Sequence, residues 1–159
     1  MVSAYDVAAR VVDPELRVVT IAELGILRDV VEDPASGRVT VTITPTYTGC
    51  PAMDVIQSDI RRELASAGYS DVEVQTKLAP AWTTDMMTES ARQKLVAAGI
   101  APPGPRTDGS RVVGLRIALR CPRCGEPDTE EISRFGSTPC KALWRCRSCG
   151  EPFEHVKAL

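Results

Sequence analysis

"RVTVTITPTYTGCPAMDVI", residues 38–56, runs from a strand through a turn into a helix, and the rest of the first domain can be built around it. Val39, Val41 and Ile43 alternate with three threonines, the period of a strand with one apolar face. Gly49 permits a tight turn, and Pro51 suits a first helical position, where a missing N–H is no loss. Met53, Ile56, Ile60 and Leu64 then recur on one helical face until Ala67-Gly68. Cys50 falls between strand and helix, at or near the N-cap. There it would face unpaired backbone N–H groups and the positive end of the helix dipole. That setting predicts a thiol titrating below about 8.5 and a ready thiolate, the form that attacks and binds metal. The other reading is a small apolar residue filling a turn. Spacing alone leaves the two open.

Working outward, "SAYDVAARVV" reads as a helix capped by Ser3 and halted at Asp13-Pro14. Residues 24–31 read as a strand. "DVEVQTKL" (71–78) reads as another, with Val72, Val74 and Leu78 inward. A last helix runs from Thr88 to Ala98-Gly99. This order predicts an α+β domain, a small mixed sheet with packed helices. The span 98–111, with three prolines and three glycines, divides the chain into a domain at 1–99, a linker at 100–112 and a small module at 113–159. Charge divides at nearly the same point. Lys and Arg number 10 against 15 Asp and Glu over residues 1–110, and 9 against 6 over residues 111–159.

Five of the six cysteines lie in the last quarter. "CPRCG" (121–125) and "CRSCG" (146–150) each let two thiolates bind one tetrahedral ion from a single turn, and the glycine lets the backbone curl toward the sulfurs. Cys121, Cys124, Cys146 and Cys149 therefore form a four-cysteine set suited to structural zinc, in preference to iron or a pair of disulfides. "VGLRIALRC" and "KALWRC" alternate as strands leading into the two turns, the plan of an all-β zinc ribbon. So small a module buries too little apolar surface to fold unaided, and the metal would supply folding energy. Cys140 exceeds the four-ligand count. It reads as a partly buried free thiol near a hairpin turn, with a ligand exchange or a role in cluster handling as the sharper alternatives. His155, the sole histidine, lies beyond a complete ligand set and reads as a surface residue.

The whole chain, 159 residues with a net charge of −2, offers no global attraction to nucleic acid or an anionic membrane. No apolar run approaches the roughly 20 residues of a membrane span, and the N-terminal stretch lacks a signal peptide's apolar segment, so a cytoplasmic protein is expected. A ribbon can bind nucleic acid, but this one intersperses its arginines with acids and has few aromatics for stacking. Catalysis by Cys50 would need a general base, and the one histidine lies in the other module. The outer strands of a small sheet invite pairing, which predicts a homodimer.

Four motifs, "DPEL" (13–16), "ELGIL" (23–27), "TYTGCP" (46–51) and "LAPAW" (78–82), stand in the order seen in the SufT-like iron–sulfur cluster assembly domain, which residues 4–98 resemble. The resemblance implies that Cys50 handles iron or clusters during maturation of other proteins. It places Asp13 and Glu15 in the family's first motif, where they serve either that function or a solvated helix stop. With "CPRCG", "FGSTPCKALWRC" and "CGEPFEHVK" added, nearly the entire chain resembles the PaaD family encoded with bacterial phenylacetyl-CoA epoxidase. That likeness implies an accessory subunit rather than a catalyst, in aerobic phenylacetate catabolism. Its partners would be the epoxidase subunits or the system's iron–sulfur reductase, and its cofactors structural zinc and transient iron or an iron–sulfur cluster. The alternative is a zinc-ribbon adaptor for nucleic acid or protein without metal delivery.

Overall fold

The computed structural model describes residues 2–104 and 119–157. Residues up to Ala91 form one compact unit and those from Arg92 a second. In the first, α1 (Ala4–Ala8) is capped by the Ser3 hydroxyl, which accepts from the Asp6 N–H. It is shorter than the sequence pattern. The chain leaves the helix before Val11, and Val12 forms an isolated antiparallel bridge with Thr20. β1 (Leu27–Glu32) pairs antiparallel with β2 (Val39–Ile43), and β2 pairs parallel with β3 (Val72–Thr76). A parallel pair needs a crossover, which α2 (Ala52–Ser66) provides. The result is a three-stranded sheet in the order β1-β2-β3.

The opening stretch folds as its pattern requires. Val39, Val41 and Ile43 are buried on β2, as are Met53, Ile56, Ile60 and Leu64 on α2. Each large side chain so buried contributes about 2 kcal/mol of transfer free energy. Two expectations need correction. Thr42 and Thr44, on the face read as polar, are buried as well. Alternation reports that one face is apolar, but not whether the other is covered. Leu78 is 59% exposed, because β3 ends at Thr76 and the chain has left the sheet's inward–outward register by that point.

Two of the four motifs tie this unit together. Thr20 and Glu23 form a reciprocal cap: the Thr20 N–H donates to Glu23 Oε2 at 2.9 Å and the Glu23 N–H to Thr20 Oγ1 at 3.2 Å. The Leu24 carbonyl accepts from the buried Trp82 indole at 2.8 Å, joining "ELGIL" to "LAPAW", whose Ala79–Pro80 peptide is cis. The Glu23 carbonyl accepts from the Thr88 N–H, and its carboxylate accepts from the Ser90 hydroxyl, fixing the start of α3 (Glu89–Ala97) with Thr88 as its cap. Gly25 lies at φ +77°, and a Cβ there would stand 2.6 Å from Met86 Cβ. Both the backbone conformation and the lack of space demand glycine.

The second unit is a four-stranded sheet in the order β4-β7-β6-β5. β5 (Thr129–Ser133), β6 (Lys141–Cys146) and β7 (Pro152–Val156) form an antiparallel meander. β4 (Ile100–Ala101), at the start of the Pro/Gly-rich stretch, pairs parallel with Glu154 and His155 of β7. The "KALWRC" strand is thus present, whereas the strand read over 113–121 falls largely outside the described residues. Among those residues no helix is long and apolar enough to cross a membrane.

Candidate metal centre and the Cys50 turn

The two CxxC turns are built alike. The Gly125 N–H donates to the Cys121 carbonyl at 2.8 Å, and the Cys121 N–H to the Glu126 carbonyl at 3.0 Å. In the second turn the Gly150 N–H donates to Cys146 at 2.9 Å, and the Cys146 N–H to Glu151 at 2.9 Å. Gly125 and Gly150 both adopt φ +78°, which turns each chain back on its own cysteines. The four sulfurs of Cys121, Cys124, Cys146 and Cys149 consequently lie within 4.8 Å of one another. Cys121 and Cys149 are 3.8 Å apart, and Cys124 and Cys146 are 3.6 Å apart.

Thiolates ~2.3 Å from a tetrahedral ion stand about 3.8 Å from each other, so the set fits a metal such as zinc. All four cysteines are free of disulfides. Without metal they share protons unequally. The Cys149 N–H, outweighing burial, draws Cys146 down to about 7. The Glu126 N–H favours a Cys124 thiolate, but burial and the neighbouring sulfurs push that thiol up to about 12. Cys121 and Cys146 also pack with Ala101 and Phe153, flanked by Leu119 and Trp144, in the core of this sheet. Among the described residues, two of the four thiols, Cys121 and Cys146, thus make up half of this small core cluster.

Cys140 stands apart from this group. It is half-buried in the turn before β6, with Thr138 Oγ1 3.1 Å from its sulfur. His155 is not a surface residue. It is largely buried, with its ring edge-on to Trp144 at 6.0 Å and its Nδ1 3.3 Å from the Ala101 carbonyl. Burial holds its pKa below the ordinary imidazole value. Its position on β7 beside β4 accounts for this, and β4 is too short to be read from the sequence.

In the first unit, Cys50 occupies the mouth of α2, one residue before the Pro51 cap. Its N–H donates to the Tyr47 carbonyl, and its own carbonyl accepts from Met53. The expected activation is absent. Burial pushes the thiol above its ordinary value, and the charges of Glu15 and Asp13 push the same way. The Ala52 N–H and a hydrogen bond with Tyr47 oppose them and lose. The fold thus brings "DPEL" and "TYTGCP" within electrostatic range of each other. Asp13 is itself 5% exposed, and its Oδ1 accepts from the N–H groups of Glu15 at 2.9 Å and Leu16 at 2.8 Å, so it also anchors its own turn. Among the described residues, the four-thiol group is the one whose ligand atoms converge as closely as a metal requires. Cys50, Asp13 and Glu15 do not gather to that degree.

Sequence reading missed Glu23, Gly25 and Trp82 as the residues that lock the first unit. Only the Thr20–Glu23 spacing, a capping box, was a local signal for one of them.

Comparison with known proteins agrees with this division. Residues 6–76 match the model of the iron–sulfur cluster assembly protein family, and residues 106–157 that of the PaaD zinc beta ribbon domain. The chain is 44% identical over 151 residues to an Escherichia coli (strain K12) protein named as a component of 1,2-phenylacetyl-CoA epoxidase, spanning 95% of this chain and 88% of that one. An Fe-S protein maturation auxiliary factor of Porphyromonas gingivalis is 40% identical over 86 residues, covering 54% of this chain and 80% of the relative. A domain of unknown function, DUF59, from Bacillus anthracis superimposes with a TM-score of 0.54 at 32% identity, over 58% of this chain and 87% of its own.

Proposed function

The chain belongs to the PaaD family of phenylacetyl-CoA epoxidase components, and on that premise we propose that it is an accessory subunit of such a system in aerobic phenylacetate catabolism. Its task is to help install iron or an iron–sulfur cluster in the epoxidase or its iron–sulfur reductase, with no oxygenation chemistry of its own. The observation that carries this reading is the joining, in one chain, of an iron–sulfur assembly half to a four-thiol ribbon. The unit up to Ala91 is the half that meets iron, and the ribbon lies in the unit that begins at Arg92 and includes β4.

Cys121, Cys124, Cys146 and Cys149 hold one zinc ion, whose role is structural: it ties two turns that lack enough apolar core to stay closed. In the first unit Cys50 is the soft ligand for cargo, with Asp13 and Glu15 as hard neighbours. Acidic groups that raise a thiol's pKa in the empty protein attract a cation, and a bound cation reverses their effect by favouring the thiolate. The protein works in the cytoplasm, and a homodimer through the outer strands of the β1-β2-β3 sheet is its expected assembly.

The raised Cys50 thiol also suits a rival reading, in which Cys50 only fills its turn and the protein is a ribbon adaptor without metal delivery. Replacing Cys50 with serine at native expression separates the two. Delivery predicts epoxidase or reductase short of iron and poor growth on phenylacetate. Normal iron content and normal growth would rule out delivery through this residue.

A further inference from the structure

Each CxxC turn is closed by its own backbone hydrogen bonds, so a separate link must hold one turn against the other. Besides the sulfurs and the core that Cys121 and Cys146 share, the structure offers a side-chain link. Arg123, between Cys121 and Cys124, forms an ion pair through its Nη1 with Glu151 Oε2, two residues beyond Cys149. Glu151 is well placed for this, because its carbonyl already accepts from the Cys146 N–H. The pair lies on the open side of the metal group, where Cys124 and Cys149 are exposed while Cys121 and Cys146 are buried. Arg123 is also within electrostatic range of Cys149 and Cys121. Four thiolates around a dication carry a net charge of about −2, which a neighbouring guanidinium offsets.

We propose that the Arg123–Glu151 pair is a latch that governs how fast metal leaves the ribbon. Closed, it fixes the first turn against the second and keeps a cation beside the exposed thiolates. Open, it lets Cys124 and Cys149 part and a competing ligand enter. Arg123 and Glu151 touch no metal. They are positioning residues, acting through the cysteines as outer-shell partners do elsewhere. The inference rests on the reading of the four cysteines as zinc ligands.

The test uses the full chain loaded with zinc, transferred into an excess of a colorimetric chelator at neutral pH. Zinc release is timed at low salt and again in about 1 M salt. Arg123→Gln and Glu151→Gln should each retain one zinc per chain and release it roughly two- to fivefold faster than wild type at low salt, the range of an exposed ion pair. Arg123→Lys should keep most of the wild-type slowness. High salt should bring wild type up to the rate of the Gln variants and leave those variants nearly unchanged, a response that simple loss of packing would not give. Zinc-loaded wild type and Arg123→Gln releasing at equal rates at low salt would overturn the latch alone. A wild-type chain that binds no zinc would overturn the four-cysteine reading and the latch with it.

Discussion

The two units hold themselves together by different means. The first has a core of its own: Ile21, Ile26, Ile43, Ile56, Ile60, Leu64, Val19, Val39 and Val41 are all fully buried, and Glu23, Leu24 and Trp82 cross-tie its loops. Among the described residues, the second has a core cluster of Ala101, Cys121, Cys146 and Phe153, half of it cysteine. Around this cluster it relies on charge. Lys141, 3% exposed, pairs with Glu154 at 2.9 Å, and Glu130 takes both Arg145 and Arg147. The cysteines follow the same division. Cys50 sits half-buried beside a unit core built of aliphatic side chains, where burial raises its pKa. Cys146 sits buried in the small core of the other unit, and the backbone holds it down to about 7.

The largest expected effect follows from that contrast. Cys146→Ser, or stripping the metal with a chelator, should unfold the second unit and leave the first intact. Apparent binding energies for structural zinc are of order 10 kcal/mol, far beyond what so small a core supplies. Amide exchange or limited proteolysis reports the two units separately, and joint loss of both would erase the distinction. A core change in the first unit should cost less. Ile60→Ala, at a site with no exposure, is expected to destabilise that unit by about 2–5 kcal/mol with the ribbon's zinc content unchanged. Chemical denaturation together with elemental analysis checks both halves of that statement.

Smaller still is the effect at the α2 mouth. Cys50→Ser should leave the melting of the first unit nearly unchanged, and in the metal-free wild type Cys50 should alkylate more slowly at neutral pH than an unstructured cysteine. Rapid modification of Cys50, followed by mass spectrometry, would contradict the raised thiol. The smallest effect concerns His155. Its pKa is lowered on folding, so the unfolded chain binds more protons between the folded value and about 6.5. The stabilisation from keeping it neutral is complete above about pH 6.5 and is lost as pH falls through the folded value. His155→Gln should therefore flatten the acid side of the ribbon's stability curve at fixed zinc. A slope identical to wild type would show that His155 takes no part in it.

What the sequence disclosed depended on whether the signal was local. The β2–turn–α2 passage, the Thr88 cap and the four-cysteine spacing are each written within a few residues of one another, and the structure carries all three. Signals spread across the chain were lost. Trp82 meets Leu24 and Lys141 meets Glu154 only after folding, and two-residue β4 exists only because β7 lies alongside it. The raised Cys50 thiol belongs to this second kind. Its helix and turn were readable nearby, but the burial that raises it most comes only with folding, and the charges of Glu15 and Asp13 arrive from more than thirty residues upstream. A local reading therefore found the favourable influences on that sulfur and missed the unfavourable ones.

The parallel pairing of β4 with β7 sets an order of events during synthesis. Ile100 and Ala101 are made more than fifty residues before their partners Glu154 and His155. Cys149, the last of the four grouped thiols, also follows them well along the chain. While the ribosome makes the second unit, the first can already collapse around its own hydrophobic core, as N-terminal domains commonly do. Cys50 would then be in place at the head of α2 before the four grouped thiols have been brought together. A nascent chain stalled before Cys146 would have an assembled cysteine turn at one end and an unclosed, thiol-bearing segment at the other.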